Sequence, residues 1–276
     1  MEERFHQSPA ETSRMNTEEL RKAFAITDIM EEGKINFVYS HYDRMIIGGA
    51  MPSSAEIVLQ NYEPLKADYF LERREMGIIN IGGEGMVKAE GKEYFVGKLD
   101  CLYLGMGTED ISFKSNDDKE TASFYILSCG AHHAYENKLM KKAEAVTESL
   151  GSSATSNERT IYKHIHQNGI KSCQLVMGLT ILKEGNVWNT MPAHTHNRRM
   201  EVYLYFDLKE GQRVFHFMGQ PTQTRHLVLG NQQAVISAPW CIHAGCGTSS
   251  YSFIWGMAGE NQSFADMDFV EIKNLL

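Results

Sequence analysis

The sequence has no cysteine pair at motif spacing, no long apolar run and no excess of basic charge. Its five cysteines, Cys101, Cys129, Cys173, Cys241 and Cys246, are odd in number and include no Cys-x-x-Cys. They read as reduced thiols of a cytoplasmic protein rather than as a disulfide framework. The first 24 residues are charged throughout and lack the apolar centre of a signal peptide. No stretch has the length and apolarity needed to span a bilayer, so no membrane partner is expected. Lys and Arg number 27 against 35 Asp and Glu, a formal net charge of −8. That balance speaks against a nucleic-acid partner, which needs a basic face. It also means that an anionic substrate needs a local cluster of Arg or Lys.

What is present is a chain of 276 residues, 42% hydrophobic, long enough to bury a sizeable core in one large domain or two medium ones. Asn16, followed by Thr17-Glu18-Glu19 and Leu20, predicts a capped helix running to about Phe24. Beyond it, short runs rich in Val, Ile, Tyr and Phe alternate with glycine turns: 77–81, 94–96, 102–104, 124–127, 202–206, 214–218, 226–229, 234–237 and 251–255. Short strands at such spacing predict a mainly all-β protein of sandwich or barrel type. A weak internal repeat points to two barrels in tandem. Glu72-Arg-Arg-Glu-Met76 opens a strand in one half and Asn197-Arg-Arg-Met-Glu201 in the other. Gly97 and Gly230 then precede strands 100–104 and 233–237, and the aromatic strands 123–127 and 251–255 follow. The expected division is an N-terminal barrel over 1–150 and a C-terminal barrel over 151–276. Residues 138–160, polar and poor in apolar side chains, read as a helix start followed by a connector.

The chemistry concentrates in Met191-Pro-Ala-His-Thr-His-Asn-Arg-Arg-Met-Glu201. His194 and His196 are two apart, so on a strand both imidazoles share one face and can close on one ion. Glu201 lies five residues past His196, which on a continuous strand is the wrong parity. A turn at 197–199 resets that parity and returns Glu201 to the same side. The strand Glu201-Val-Tyr-Leu-Tyr-Phe206 then turns Glu201, Tyr203 and Tyr205 to a polar interior, and Val202, Leu204 and Phe206 the other way. A further ligand must come from His216, His226 or His243. His243, in Ala238-Pro-Trp-Cys-Ile-His-Ala-Gly245, sits at a strand end beside a glycine turn and is the best placed. Imidazoles with a carboxylate suit Zn, Fe, Mn or Ni.

His-x-His-x4-Glu with a distant His is the ligand pattern of the cupin superfamily. The chain departs from the usual second cupin motif in lacking a glycine between Pro239 and His243. More narrowly, the whole chain resembles the 5-keto-4-deoxyuronate isomerase family. The segments that carry the resemblance are Val38-Tyr-Ser-His41, Tyr69-Phe-Leu-Glu-Arg-Arg74, Ile79-Asn-Ile-Gly-Gly83, Trp188-Asn-Thr-Met-Pro192, 194–203, Met218-Gly-Gln-Pro221 and Phe253-Ile-Trp-Gly-Met257. The resemblance implies a bicupin of two jelly-roll barrels, one Zn²⁺ per chain on His194, His196, Glu201 and His243, and a homohexamer. It implies an aldose–ketose isomerase of pectin breakdown, turning 5-dehydro-4-deoxy-D-glucuronate into 3-deoxy-D-glycero-2,5-hexodiulosonate. In the first half the position matching the distant His falls near Gly105-Met106-Gly107 and no H-x-H precedes Glu75, so the N-terminal barrel is expected to be metal-free.

Four protein ligands close a tetrahedral zinc, so a catalytic ion here needs a higher coordination number or a weak ligand, for which Glu201 is the candidate. The general base is left open among His226, Tyr203, Tyr205 and Lys163. The group for the substrate carboxylate is left open among Arg159, Lys163, Arg198 and Arg225. The alternatives are a metal-dependent cupin dioxygenase and a uronate-binding cupin without turnover.

Overall fold

The computed structural model describes residues 1–260, 262–263 and 266–276. The chain divides into two compact units. The first comprises Met1–Glu3, Asp28–Val146 and Lys163–Met177; the second comprises Arg4–Thr27, Thr147–Tyr162 and Gly178–Leu276. A single cut near residue 150 therefore does not separate them. Residues 4–27 belong with the second unit because Ala25–Ile26 forms an antiparallel edge strand, with Ala25 opposite Val235. Lys163–Met177 belongs with the first because the buried Glu75 carboxylate accepts the backbone N–H groups of Cys173, Gln174 and Leu175 at 2.7–2.8 Å. Gly77, two residues along the same strand face, leaves room for Ile165, Leu175 and Met177; a Cβ there would stand 2.8–3.0 Å from each.

The expected helix is Thr17–Phe24. The Asn16 side chain accepts the Glu19 N–H at 3.0 Å, the Glu19 carboxylate accepts the Asn16 N–H at 2.7 Å, and Leu20 and Phe24 form the buried face. A shorter helix, Pro9–Thr12, capped by Ser8, was not expected. Residues 138–160 contain no α-helix. They form Lys138–Met140 and Val146–Leu150, with short 3₁₀ turns between and after them. Asp100 fixes the bend: its carboxylate accepts from Lys141 Nζ at 2.9 Å and from the Lys142 N–H at 2.8 Å. The polar composition that suggested a connector is that of sheet-edge strands.

Each half has a seven-stranded and a four-stranded sheet, the jelly-roll pairing of a β-barrel. Across one large sheet run Ile35–Ser40, Ile46–Ala50, Phe124–Gly130, Arg74–Asn80, Cys101–Leu104 and Lys138–Met140. Across the other, in the same order, run Arg159–Ile165, Val176–Leu182, Ser252–Gly259, Arg199–Phe206, Gln233–Ser237 and Ala25–Ile26. The repeat extends to single hydrogen bonds. Gly97 N–H donates to Asp100 Oδ2, and Gly230 N–H to Gln233 Oε1. Register fixes the matching positions: Arg74 lies opposite Gly130 as Arg199 lies opposite Gly259. Met76 therefore stands where Glu201 stands. Counting from the two-residue hairpin loops at 90–91 and 221–222, Val87 matches Met218, and Phe113, paired with Val87, falls at the place of His243. That place is not the 105–107 glycine turn that the sequence suggests. Met76, Ile78, Val87 and Phe113 belong to one apolar cluster that fills the first barrel.

Candidate metal centre

Strand Arg199–Phe206 lies inside its sheet, between Gln233–Ser237 and Ser252–Gly259, and is buried along its whole length. Residues 197–198 form the expected turn, and Arg199 opens the strand. His194 lies in the short strand His194–Thr195, paired with Phe269. His243 immediately precedes strand Ala244–Gly247. A small apolar pad of Ala193, Ile242 and Ala244, flanked by Met191 and Phe217, seats the residues next to both histidines.

The four side chains converge. One ligand atom from each of His194, His196, Glu201 and His243 lies within 4.8 Å of every other. His243 Nε2 is 2.9 Å from His194 Nε2 and 2.9 Å from Glu201 Oε2, and His196 Nε2 is 3.1 Å from the same oxygen. His196 Nδ1 lies 3.0 Å from the Arg199 carbonyl oxygen. That carbonyl can only accept, so the proton sits on Nδ1 and the Nε2 lone pair points into the cluster. Facing lone pairs at these separations repel unless a proton or a cation lies between them. Three imidazole nitrogens and one carboxylate oxygen form a donor set that suits a divalent transition metal.

Charge and burial act in opposition here. Burial raises the pKa of the Glu201 carboxyl, but the His243 charge and hydrogen bonds from His196 and His243 outweigh it and hold the group well below the usual range. Burial alone would depress His196, and the Glu201 carboxylate draws it above its ordinary value instead. His194 is pushed down to about 3 by burial and by the neighbouring His243. Glu201 is thus held as the carboxylate and His194 as the neutral imidazole, the forms in which each can bind a metal.

The expected polar face is present. Tyr203 and Tyr205 follow Glu201 along the strand and are buried. Around them are groups the sequence did not single out. The Tyr203 hydroxyl is 3.1 Å from Thr190 Oγ1, Asn189 Nδ2 donates to Thr190 Oγ1 at 3.0 Å, and the Tyr251 hydroxyl donates to Asn189 Oδ1. Gly245 is required here: a Cβ would meet Asn189 Oδ1 at 2.5 Å and the Tyr205 hydroxyl at 2.9 Å. His216, weighed from sequence only as a ligand, instead lies 2.8 Å from the Tyr205 hydroxyl through Nδ1. Asn189 and Thr190 lie in a segment that carries the family resemblance, but no local pattern puts them or Tyr251 at the site, because their role depends on strand pairing across the barrel.

Other candidates fall away. His226 is exposed and packs beside Phe215 on the outer face. Arg225 donates to the carbonyls of Thr12, Ser13 and Met15, and Arg198 is an exposed turn residue. Arg199 is a buried side chain ion-paired to Asp266 at 2.7 Å. Arg159 is half-buried; burial lowers the pKa of its guanidinium against the opposing pull of Tyr203 and Tyr251. Among the described residues, no helix is long and apolar enough to cross a membrane.

Comparison with known proteins agrees with this architecture. Solved structures share the fold at low sequence identity. An IolB-like protein of Salmonella typhimurium matches with a TM-score of 0.70 at 15% identity, over 90% of this chain and 96% of that one. Oxalate decarboxylase of Bacillus subtilis, a cupin protein, matches with 0.60 at 11% identity, over 89% and 79%. In sequence, proteins named 4-deoxy-L-threo-5-hexosulose-uronate ketol-isomerase are 54% identical in Halalkalibacterium halodurans and 52% identical in Bacillus subtilis, in each case over 100% of both chains. The family model described as KduI/IolB matches residues 25–272. With the jelly-roll pair and the matched sequence both in hand, the chain belongs to the KduI/IolB family.

Proposed function

We propose that this chain is a 4-deoxy-L-threo-5-hexosulose-uronate ketol-isomerase that works on one zinc ion held by His194, His196, Glu201 and His243. The observation that carries the activity is end-to-end identity of 51–55% to proteins of that name. The convergent nitrogen and oxygen donors of the second unit support the metal. The substrate of this reading is 5-dehydro-4-deoxy-D-glucuronate, a small anionic sugar acid. The C2 proton moves to C1, the C1 aldehyde becomes a hydroxyl and the C2 hydroxyl becomes a ketone, so no external oxidant enters. When bound, the ion supplies Lewis-acid stabilisation of negative charge developing on the two oxygens, a contribution of several kcal/mol.

The remaining work falls to side chains of the same barrel. Arg159 is the group suited to the substrate carboxylate, since it is the half-buried cation in electrostatic reach of the interior phenols. Tyr203, held by Thr190, and the Tyr205–His216 pair are the interior groups able to carry a proton. The seven-stranded sheet behind them excludes water from one side. The chain acts in the cytoplasm, consistent with five free cysteines, and assembles as a homohexamer, which sedimentation equilibrium tests directly.

The test of the activity is an NMR assay on the unsaturated-uronate breakdown product, with metal content measured in parallel. Wild type is expected to convert the aldehyde signal into a new ketone signal without oxygen uptake. His196→Ala is expected to lose its metal and roughly a thousandfold or more of its rate, with its circular dichroism spectrum kept. Full metal and full activity in that variant would remove these four residues from the mechanism. Stoichiometric oxygen consumption would replace the isomerase reading with an oxygenase.

A further inference from the structure

The first barrel, whose ligand positions are filled by Met76 and Phe113, opens at one end into a cavity of about 240 Å³. Three guanidinium-bearing residues line it, Arg44, Arg73 and Arg74, together with Tyr39, Leu65 and Phe70. No Asp or Glu is among its lining residues.

Arg74 makes the cavity unusual. It is 8% exposed, so its charge is largely removed from water. Its partners are all neutral: Nε donates to Ser128 Oγ at 3.1 Å, and Nη2 to the carbonyls of Arg44 and Ser128 at 2.6 and 2.7 Å. The Tyr39 ring lies 6.0 Å away. Among the described residues, no carboxylate pairs with Arg74. A buried charge without a counter-charge is costly, and structures normally pair it.

The second barrel shows what this position takes. Arg199 matches Arg74 in register, is also buried, and is ion-paired to the Asp266 carboxylate at 2.7 Å. The first barrel keeps the arginine and has a cavity in place of the acid. Arg44 adds an exposed guanidinium with no ion-pair partner among the described residues, from a turn in which Asp43 and Arg44 both take left-handed backbone angles. Arg73 donates to the carbonyls of Leu65 and Lys66 and so fixes the apolar wall, while Glu72 lies 3.4 Å from its Nη1.

We propose that the mouth of the first barrel binds a small organic carboxylate, gripped by Arg74 and Arg44 with its carbon skeleton against Leu65 and Phe70. A carboxylate rather than a phosphate follows from the Arg199–Asp266 counterpart and from the apolar wall. The volume, below that of a drug-sized pocket, limits the ligand to about the size of a sugar acid or smaller.

Isothermal titration of the full-length metal-loaded protein with D-galacturonate, pyruvate and inorganic phosphate tests this. His196→Ala is titrated in parallel, so that binding at the metal centre is told apart. The expected result is saturable binding of at least one carboxylate, one per chain, that persists in His196→Ala. It should weaken roughly tenfold in each of Arg44→Gln and Arg73→Gln. Both positions are largely solvent-facing, so these variants are expected to fold and to keep isomerase turnover. Arg74→Lys keeps the charge, removes the fork and should also lose binding. Absence of carboxylate binding in His196→Ala, indifference to Arg44→Gln and Arg73→Gln, or phosphate binding tenfold tighter than both carboxylates would each overturn the proposal.

Discussion

His216 is fully buried, sits 2.8 Å from the Tyr205 hydroxyl through Nδ1, and has no partner at Nε2 among the described residues. Burial and the nearby His243 push its pKa down to about 3 from an ordinary 6.5. A folded-state pKa below the unfolded one means that protonation favours the unfolded chain. The stabilising contribution is therefore complete above about pH 6.5 and is lost as the pH falls toward 3. Between pH 7 and pH 5 the loss from this one residue is roughly 2 kcal/mol. Urea titrations of the metal-free protein at the two pH values are expected to show it, and His216→Gln should flatten the difference by about that amount. An unchanged pH dependence in the variant would mean that His216 titrates normally. For the reaction, the same variant is expected to lower kcat by about a hundredfold if the Tyr205–His216 pair carries the proton.

Among the elements, strand Arg74–Asn80 shows how one ladder serves two faces. Its inward residues Met76 and Ile78 fill the first barrel, and its outward Glu75 accepts three backbone N–H groups and the Tyr103 hydroxyl, the last at 2.7 Å. Charge-assisted bonds of this kind hold Lys163–Met177 in the first unit. Glu75→Gln keeps the shape but turns an amide toward donors, and is expected to cost roughly 3 kcal/mol and to lower the thermal midpoint by several degrees, with metal content unchanged. A variant as stable as wild type would make that segment independent of Glu75. This element also marks where the sequence stops being legible. Alternation along 201–206 and the capping pair Asn16–Glu19 are local patterns, so the ligand strand and the helix were readable. The turn before Glu201 is legible from parity, because only a turn can bring His196 and Glu201 onto one ion. No local pattern marks Glu75, because its backbone partners lie about a hundred residues away along the chain. Residues 138–160 are hard to read for the same reason: Lys138–Met140 borrows its order from Cys101–Leu104, Val146–Leu150 borrows its order from Arg159–Ile165, and such edge strands need few apolar residues of their own.

At the scale of the whole molecule, the two barrels make a controlled comparison within one chain, since topology, register and even the Gly97 and Gly230 caps coincide while the interiors differ. Met76 and Phe113 pack a dry core where Glu201 and His243 converge on a cation site. Metal binding should therefore act on one unit alone. A ligand held only by the folded state stabilises it by about 4 kcal/mol at a thousandfold excess over its dissociation constant. For a unit of this size that is on the order of ten degrees in the thermal midpoint. Hydrogen exchange with and without chelator resolves where the effect lies. Chelation is expected to expose amides in Arg199–Phe206 and Ala244–Gly247 and to leave Arg74–Asn80 and Phe124–Gly130 protected, with one metal per chain before treatment and none after. Equal loss of protection in both units, or two metals per chain, would show that the first barrel also depends on an ion. The substitution of Met76 and Phe113 for ligands would then have to be explained by a different site.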